Sequence, residues 1–217
     1  LRPGFLLFTG PSGVGKKTAA LEFAASILCE EPDAQDGGCG HCDSCGRVER
    51  MSHPNLSLID FAYQQAFLET KTQGHSLKID TMREAIRALT LRPYADRHGV
   101  CILDAAESLT VEAQNAALKF LEETPSGIIW IWLASAEEAL LPTIVSRVAF
   151  KIRFRPLPTE CVVEILSRQA GGAPGSEVQR AAEASTGSLE RARALLETGT
   201  SAWGSGSSGN PLDISAA

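Results

Sequence analysis

A glycine-rich stretch, Gly10-Pro-Ser-Gly-Val-Gly-Lys-Lys-Thr18, has the GxxxxGK spacing of a phosphate-binding loop. The apolar run from Phe5 to Thr9 precedes it and a helical pattern follows it, which is the context that such a loop requires. The glycines let backbone N–H groups turn toward phosphates, and the helix N-terminus adds partial positive charge. We expect Lys16 to reach the β- and γ-phosphates of a nucleotide. The alternative is a glycine-rich turn that keeps the fold and binds nothing.

Two positions that ATP hydrolysis requires are changed. The residue after Lys16 should be Ser or Thr, whose hydroxyl ligates Mg²⁺, but it is Lys17, which carries a positive charge to the metal position. Thr18 is rotated by about 100° around the helix and is not an equivalent ligand. Asp104 ends a buried strand at the sheet edge that faces phosphates. The next residue is Ala105, which has no carboxylate to polarise an attacking water molecule. The sequence predicts no hydrolysis and leaves weak, Mg²⁺-independent binding open. The degenerate nucleotide site comprises Gly10, Gly13, Gly15, Lys16, Lys17, Thr18 and Asp104.

Four of the six cysteines lie close together, in the order Cys29, Cys39, Cys42 and Cys45. The CxxCxxC spacing with one more distant cysteine supplies four thiolates for a tetrahedral Zn²⁺ site. Such a site has no open position, so the zinc would be structural. His41 could replace one of these ligands. The alternative to a zinc site is a set of free thiols or a redox pair. The isolated Cys101 and Cys161 are interpreted as buried thiols.

Strands that alternate with helices predict an α/β domain around a parallel sheet. The predicted strands cover residues 5–9, 56–60, 100–103, 128–133 and 149–154. Residues 61–78 are expected to form a loop, and Thr81 with Glu84 fits a capping box at the start of the next helix. The predicted domains are 1–156, with a zinc module at 29–45, a helical domain at 157–197, and a flexible Gly/Ser-rich end at 198–217.

Composition limits the classes of function. The chain has 217 residues, 44% of them hydrophobic, and a net charge of −6. These values are typical of a globular protein and argue against nucleic-acid binding through bulk positive charge. The sequence has no apolar run near the roughly 20 residues that a membrane helix needs.

Several segments resemble the bacterial clamp-loader subunits of DNA polymerase III, the gamma/tau and delta-prime family. Arg92-Pro-Tyr94 resembles the family's (K/R)PY motif, and the helix from Thr110 to Pro125 resembles its T-x-x-A-x-N-A-x-L-K-x-L-E-E-x-P pattern. Leu141-Pro-Thr-Ile-Val-Ser-Arg147 resembles its LPTIxSR segment. The resemblance covers about residues 5–156, and it implies an AAA+ P-loop domain followed by a helical lid.

The resemblance also implies roles for single residues. Arg147 matches the arginine finger that acts on ATP held by a neighbouring subunit. AAA+ ATPases carry Glu where this chain has Ala105. The first sensor would fall at Ser135-Ala136, where the family often has Asn at the second position. The GSLR segment of the family's lid has Glu190 in place of Arg.

Damage to the chain's own ATP site beside an intact finger resembles the delta-prime members. The implied partners are the gamma/tau and delta subunits and, indirectly, the sliding clamp and primer–template DNA, in the bacterial cytoplasm. The family's collar-forming third domain has no counterpart within the sequence, so either the chain is a fragment or that part lies beyond residue 217.

Three other functions stay possible on the sequence alone. The first is an active gamma/tau-type ATPase in which Thr18 and Glu107 replace the missing groups. The second is a P-loop kinase for a small molecule, which leaves the cysteines unexplained. The third is a zinc-dependent nucleic-acid-binding module, against which the acidic composition counts. Lys151, Arg153 and Arg155 are interpreted as a solvated strand face.

Overall fold

The computed structural model describes residues 4–31, 37–68, 76–90, 98–122, 127–169 and 175–203. Its internal contacts divide the chain into two units. The first unit comprises Leu1–Pro11 and Gly15–Phe154, and the second comprises Ser12–Val14 and Arg155–Ala217. The Arg92-Pro-Tyr94 segment and the end of the Thr110–Pro125 pattern lie outside the described residues.

The first unit is built on a five-stranded parallel sheet with the order β2-β3-β4-β1-β5. Its strands are β1 (Phe5–Thr9), β2 (Leu56–Ile59), β3 (Gly99–Leu103), β4 (Ile128–Ala134) and β5 (Phe150–Arg153). Each agrees with its predicted strand to within one residue at either end. The structure therefore confirms the parallel α/β arrangement expected from the sequence.

Alternate residues of each central strand enter two different cores. On β4, Trp130 and Trp132 pack on one face, while Ile129 and Ile131 pack on the other. Because both faces are covered, these strands show continuous apolar runs rather than a polar–apolar alternation. Strand β5 lies at the edge, pairs only with β1 among the described strands, and is exposed along its whole length.

Helices cover the two faces of the sheet. Helices α1 (Lys16–Leu28) and α2 (Asp43–Glu49) supply residues to one core. Helices α3 (Phe61–Leu68), α4 (Ile79–Thr90), α5 (Val111–Glu122) and α6 (Pro142–Val145) supply residues to the other. The expected loop at 61–78 is wrong over residues 61–68, which form α3.

Helix α4 also corrects the predicted capping box. The helix begins at Ile79, so Thr81 lies inside its first turn and is fully buried. The Thr81 hydroxyl donates to Gln64 Oε1 at 2.7 Å, and the Lys78 N–H donates to the same oxygen at 2.7 Å. Thr81 therefore joins α4 to α3 instead of capping its own helix.

The second unit has a small helical core of its own. Helices α7 (Thr159–Gln169), α8 (Gly175–Ala184) and α9 (Leu189–Trp203) bury Val162, Leu166, Val178, Ala182 and Ala192. Helix α9 continues past residue 197, where the sequence predicted the helical domain to end. Within this unit the Glu190 carboxylate accepts a hydrogen bond from the Ser12 hydroxyl at 2.8 Å. Cys161 on α7 is exposed, so its interpretation as a buried thiol is wrong, whereas Cys101 on β3 is buried.

Within the part of the chain that the structure describes, every helix falls short of the length and apolar character of a membrane span.

Candidate functional site

The glycine-rich loop follows β1 and leads into α1 with the backbone geometry of a phosphate loop. Gly10, Gly13 and Gly15 all have positive φ angles, of 148°, 75° and 92°. Gly15 is the N-cap residue of α1, and a Cβ at Gly10 would lie 2.9 Å from the Cβ of Phe154. Side chains other than glycine are disfavoured at both positions. The Lys16 ammonium donates to the Gly10 and Pro11 carbonyls at 2.6 and 2.7 Å. The side chain predicted to reach the phosphates therefore lies against the loop itself.

Lys17 forms an ion pair with the acidic residue predicted for this site. Its Nζ lies 3.2 Å from Asp104 Oδ2, and its side chain is about one-third exposed at 38%. The other oxygen of Asp104 accepts the Ala105 N–H at 3.0 Å. The structure therefore brings Lys17 and Asp104 together, and both oxygens of that carboxylate have a donor.

A second carboxylate, Asp60, belongs to the same cluster and was not predicted from the sequence. Its Oδ2 lies 3.7 Å from Lys17 Nζ, and its Oδ1 accepts the Tyr63 N–H at 2.9 Å, which caps α3. Asp60 follows β2 just as Asp104 follows the neighbouring β3, because Ile59 and Leu103 are partners in register. The available signal was an acidic residue directly after a strand, at the sheet edge where ligands bind in such folds.

The groups that could replace the missing catalytic residues lie elsewhere. Thr18 is exposed and lines a cavity between α1 and α2 together with Glu22 and Glu49. Ala105 has the left-handed φ of 52°, and Glu107 is exposed in the short 3₁₀ turn Ala106–Ser108. Ser135, after β4, is also exposed, and Ala136 brings no polar side chain. Thr18 is thus not placed beside Asp104, in agreement with the helix geometry expected from the sequence.

Arg147 lies at the surface after the short helix α6, which begins at Pro142. Its Nη1 donates to the Thr143 carbonyl at 2.8 Å, and its backbone N–H donates to the Ile144 carbonyl. The next strand along the chain is β5, the exposed edge of the sheet. The Arg147 side chain is therefore exposed, and its guanidinium contacts a carbonyl of its own short helix α6.

A buried glutamine on α5 holds the segment that carries Arg147. Gln114 is only 4% exposed, and its Oε1 accepts the Leu141 N–H at 2.8 Å, directly before α6. Its Nε2 donates to the Leu109 carbonyl at 3.4 Å. Sequence reasoning missed this residue because a polar side chain on a helix is more often exposed.

The four clustered cysteines converge at the end of α1 and the start of α2. All four sulfur atoms lie within 4.8 Å of one another, with Cys29–Cys42 and Cys39–Cys45 at 4.0 Å. In a tetrahedron with Zn–S bonds of about 2.3 Å, the sulfurs stand about 3.8 Å apart. The cluster therefore fits a tetrahedral metal ion with little adjustment, and His41, whose Nδ1 contacts the Cys39 carbonyl, is not needed as a ligand.

Backbone N–H groups and burial act in opposite directions on these thiols. The Cys39, Cys42 and Cys45 N–H groups point at the sulfurs of Cys29, Cys39 and Cys42, at 3.3 to 3.4 Å. Backbone hydrogen bonding from Glu30 and Cys45 lowers the pKa of the Cys42 thiol to about 6. Burial raises the pKa of the Cys45 thiol to about 12. N–H···S contacts are the surroundings that a bound thiolate requires, since they compensate its negative charge.

The parallel sheet, the glycine-rich loop after β1 and the acidic residue after β3 define a P-loop protein. Residues 4–158 match the family described as DNA polymerase III, delta subunit. The chain belongs to this family of clamp-loader subunits.

The chain is similar in sequence to two kinds of DNA polymerase III subunit, delta' and gamma/tau. The chain is 32% identical over 143 residues to the DNA polymerase III subunit delta' of Pseudomonas aeruginosa, covering 66% of this chain and 40% of the relative. It is 31% identical over 166 residues to the Bacillus subtilis subunit delta', covering 75% and 45%. It is also 32% identical over 163 residues to the Mycobacterium tuberculosis subunit gamma/tau, covering 75% and 26%. The chain therefore spans less than half the length of these relatives.

Solved structures share the fold at lower identity. A DNA polymerase III gamma subunit-related protein of Thermotoga maritima aligns with a TM-score of 0.57 at 20% identity, over 90% of this chain and 54% of that protein. The RuvB Holliday junction branch migration motor of the same organism aligns with a TM-score of 0.56 at 14% identity, over 89% and 53%. These similarities concern the fold alone.

Proposed function

We propose that this chain is part of a clamp-loader subunit of the DNA polymerase III holoenzyme that acts like delta prime. It assembles with gamma/tau and delta subunits in the bacterial cytoplasm and acts indirectly on the sliding clamp and primer–template DNA. It does not hydrolyse ATP itself, and it supplies Arg147 to ATP held by a neighbouring subunit. The helical second unit acts as the lid domain.

The observation that carries this proposal is the state of the chain's own phosphate loop. Lys17, paired with Asp104 at 3.2 Å, occupies the position where a metal-ligating hydroxyl belongs. Ala105 has no carboxylate to polarise a water molecule, and the exposed Glu107 is not hydrogen-bonded to Asp104 in the described contacts. Gly10, Gly13, Gly15 and Lys16 keep the form of a nucleotide site, so weak binding without turnover is the activity we assign to them.

Arg147 is supported as a finger in trans by its exposure and by the segment that carries it. Phosphoryl transfer places negative charge on the γ-phosphate oxygens, and a guanidinium within reach stabilises that charge. The planar, permanently charged fork of arginine suits this role better than lysine. Because Arg147 is exposed after α6, a neighbouring chain can approach it.

We assign a structural Zn²⁺ to Cys29, Cys39, Cys42 and Cys45. Four thiolate ligands fill the tetrahedral coordination sphere, so the ion would stabilise the connection between α1 and α2 and take no part in chemistry. Cys29 follows α1, and Cys42 caps α2 by accepting the Cys45 N–H, so both helix ends would be joined through the metal.

The test is clamp loading by a reconstituted complex that carries Arg147→Ala in this subunit alone. We expect a partial loss of DNA- and clamp-stimulated ATPase, because several active sites share the work. Arginine fingers contribute roughly a thousandfold at a single site. Arg147→Lys should be similarly impaired, whereas Arg168→Ala, which removes an exposed arginine paired with Glu164, should keep the wild-type rate. Wild-type loading and ATPase rates with Arg147→Ala would refute the finger role.

A further inference from the structure

The P-loop fold implies a bound Mg²⁺, and the residues of this site do not fit one. A magnesium ion at a phosphate loop needs a Ser or Thr hydroxyl after the loop lysine and a carboxylate from the neighbouring strand end. Here the carboxylate is present as Asp104, but the hydroxyl position holds Lys17, whose ammonium already contacts that carboxylate.

The Lys17 ammonium lies between two carboxylates. Its Nζ lies 3.2 Å from Asp104 Oδ2 and 3.7 Å from Asp60 Oδ2. The remaining oxygen of each carboxylate accepts a backbone N–H, from Ala105 and from Tyr63. Each of the four carboxylate oxygens therefore either pairs with the Lys17 ammonium or accepts a backbone N–H within the protein.

We infer that the Lys17 ammonium takes the place of the divalent cation at this phosphate loop, so that the chain cannot hold Mg²⁺ or Mn²⁺ at Asp104. A metal ion there would meet a like charge at contact distance and would have to displace the ammonium from both carboxylates. Mg²⁺ also demands near-ideal octahedral geometry from oxygen ligands, and an ammonium offers no lone pair to it.

The same arrangement decides what the loop can offer to a polyphosphate. The Lys17 ammonium is paired with Asp60 and Asp104, so Lys16 is the loop lysine that would contact a phosphate. In the structure, the Lys16 ammonium donates to the Gly10 and Pro11 carbonyls. Without a metal ion to bridge the β- and γ-oxygens, any nucleotide would bind as the metal-free anion, with an affinity that added Mg²⁺ does not raise.

This inference deepens the proposed loss of hydrolysis, and its test is independent of clamp loading. The zinc-loaded chain is titrated with Mn²⁺, and bound ion is measured by electron paramagnetic resonance. We expect wild type and Asp104→Asn to bind Mn²⁺ equally, because Asp104 is not available to a metal ion. Lys17→Arg, which keeps a cation and adds no hydroxyl, should behave like wild type.

The gain-of-function variant is Lys17→Thr. It removes the ammonium, frees both carboxylates and restores the hydroxyl, and it should raise Mn²⁺ affinity at least about tenfold, since a like charge within about 4 Å is removed. Adding Asp104→Asn to Lys17→Thr should abolish the gain. The inference is wrong if wild type binds Mn²⁺ in a manner that Asp104→Asn removes, or if folded Lys17→Thr gains no Mn²⁺. If Lys17→Thr does not fold, the comparison of wild type with Asp104→Asn decides alone. None of these outcomes depends on Arg147.

Discussion

The Gln114 side chain on α5 accepts the Leu141 backbone N–H at 2.8 Å, and this contact lies directly before the helix that leads to Arg147. The same amide donates to the Leu109 carbonyl, so one buried side chain connects the start of α5 to the start of α6. Gln114 therefore fixes the start of the segment that leads to Arg147, and under the proposed function it is a positioning residue for that arginine.

Gln114→Leu should destabilise the first unit and weaken the action of Arg147. It leaves two backbone groups without their partner, which should lower the free energy of unfolding by about 2 kcal/mol. Urea unfolding followed by the fluorescence of the buried Trp130 and Trp132 measures this. The exposed Gln179 provides the control, since Gln179→Leu should change stability by less than about 0.5 kcal/mol. Equal stability of the two variants would show that the Gln114 contacts contribute nothing.

Zinc should be present at about one ion per chain in protein purified without added metal, as measured by elemental analysis. Cys42→Ser should lower that content sharply, because a hydroxyl is a poor ligand for a site of three thiolates. Cys161→Ser, at an exposed thiol outside the cluster, should leave it unchanged. The assignment would be contradicted by native protein that contains no metal, has four reactive thiols in the cluster and is as stable as protein to which zinc has been added.

The isolated chain should show no ATP hydrolysis above background. Hydrolysis requires a hydroxyl that ligates the metal ion and a carboxylate that polarises water. This chain has Lys17 at the first position and Ala105 at the second. Steady-state phosphate release is the measurement, and Lys16→Ala is the matched variant, which should not differ from wild type. Turnover that disappears in Lys16→Ala would favour an active gamma/tau-type subunit.

Gly10→Ala should destabilise the first unit by about 1–3 kcal/mol, because Gly10 has a φ of 148° and the new Cβ would press against Phe154. Equilibrium unfolding in urea measures the change. The control is Gly175→Ala at the start of α8, where a Cβ meets nothing within 4 Å and φ is not left-handed. An equal, small effect of both substitutions would remove the steric argument.

The strands and the cysteine cluster were predictable because their signals are local. Continuous apolar runs mark strands buried on both faces, and β1, β3 and β4 carry them. The four cysteines lie within 17 residues of one another in the sequence, so their proximity does not depend on long-range contacts. In the structure their sulfur atoms lie within 4.8 Å of one another.

The sequence was less informative where tertiary contacts override local patterns. The apolar residues of α3 are spread around the helix, so residues 61–68 show no single apolar face. Thr81 has the residue type of a cap, but its hydroxyl is used by Gln64, which is 17 residues away in sequence. Asp60 shares Lys17 with Asp104 only because β2 and β3 are neighbours in register, and the order of strands cannot be read from composition.

The strand order has a consequence for synthesis on the ribosome. Strand β1 is made first, yet both of its neighbours, β4 (Ile128–Ala134) and β5 (Phe150–Arg153), are among the last parts of the sheet to be made. The cysteine cluster needs only the chain up to Cys45. Nascent chains can therefore bring the four sulfurs together while β1 still lacks both partners. The backbone at Gly10 meets Phe154 only after β5 has been made, more than a hundred residues after Cys45.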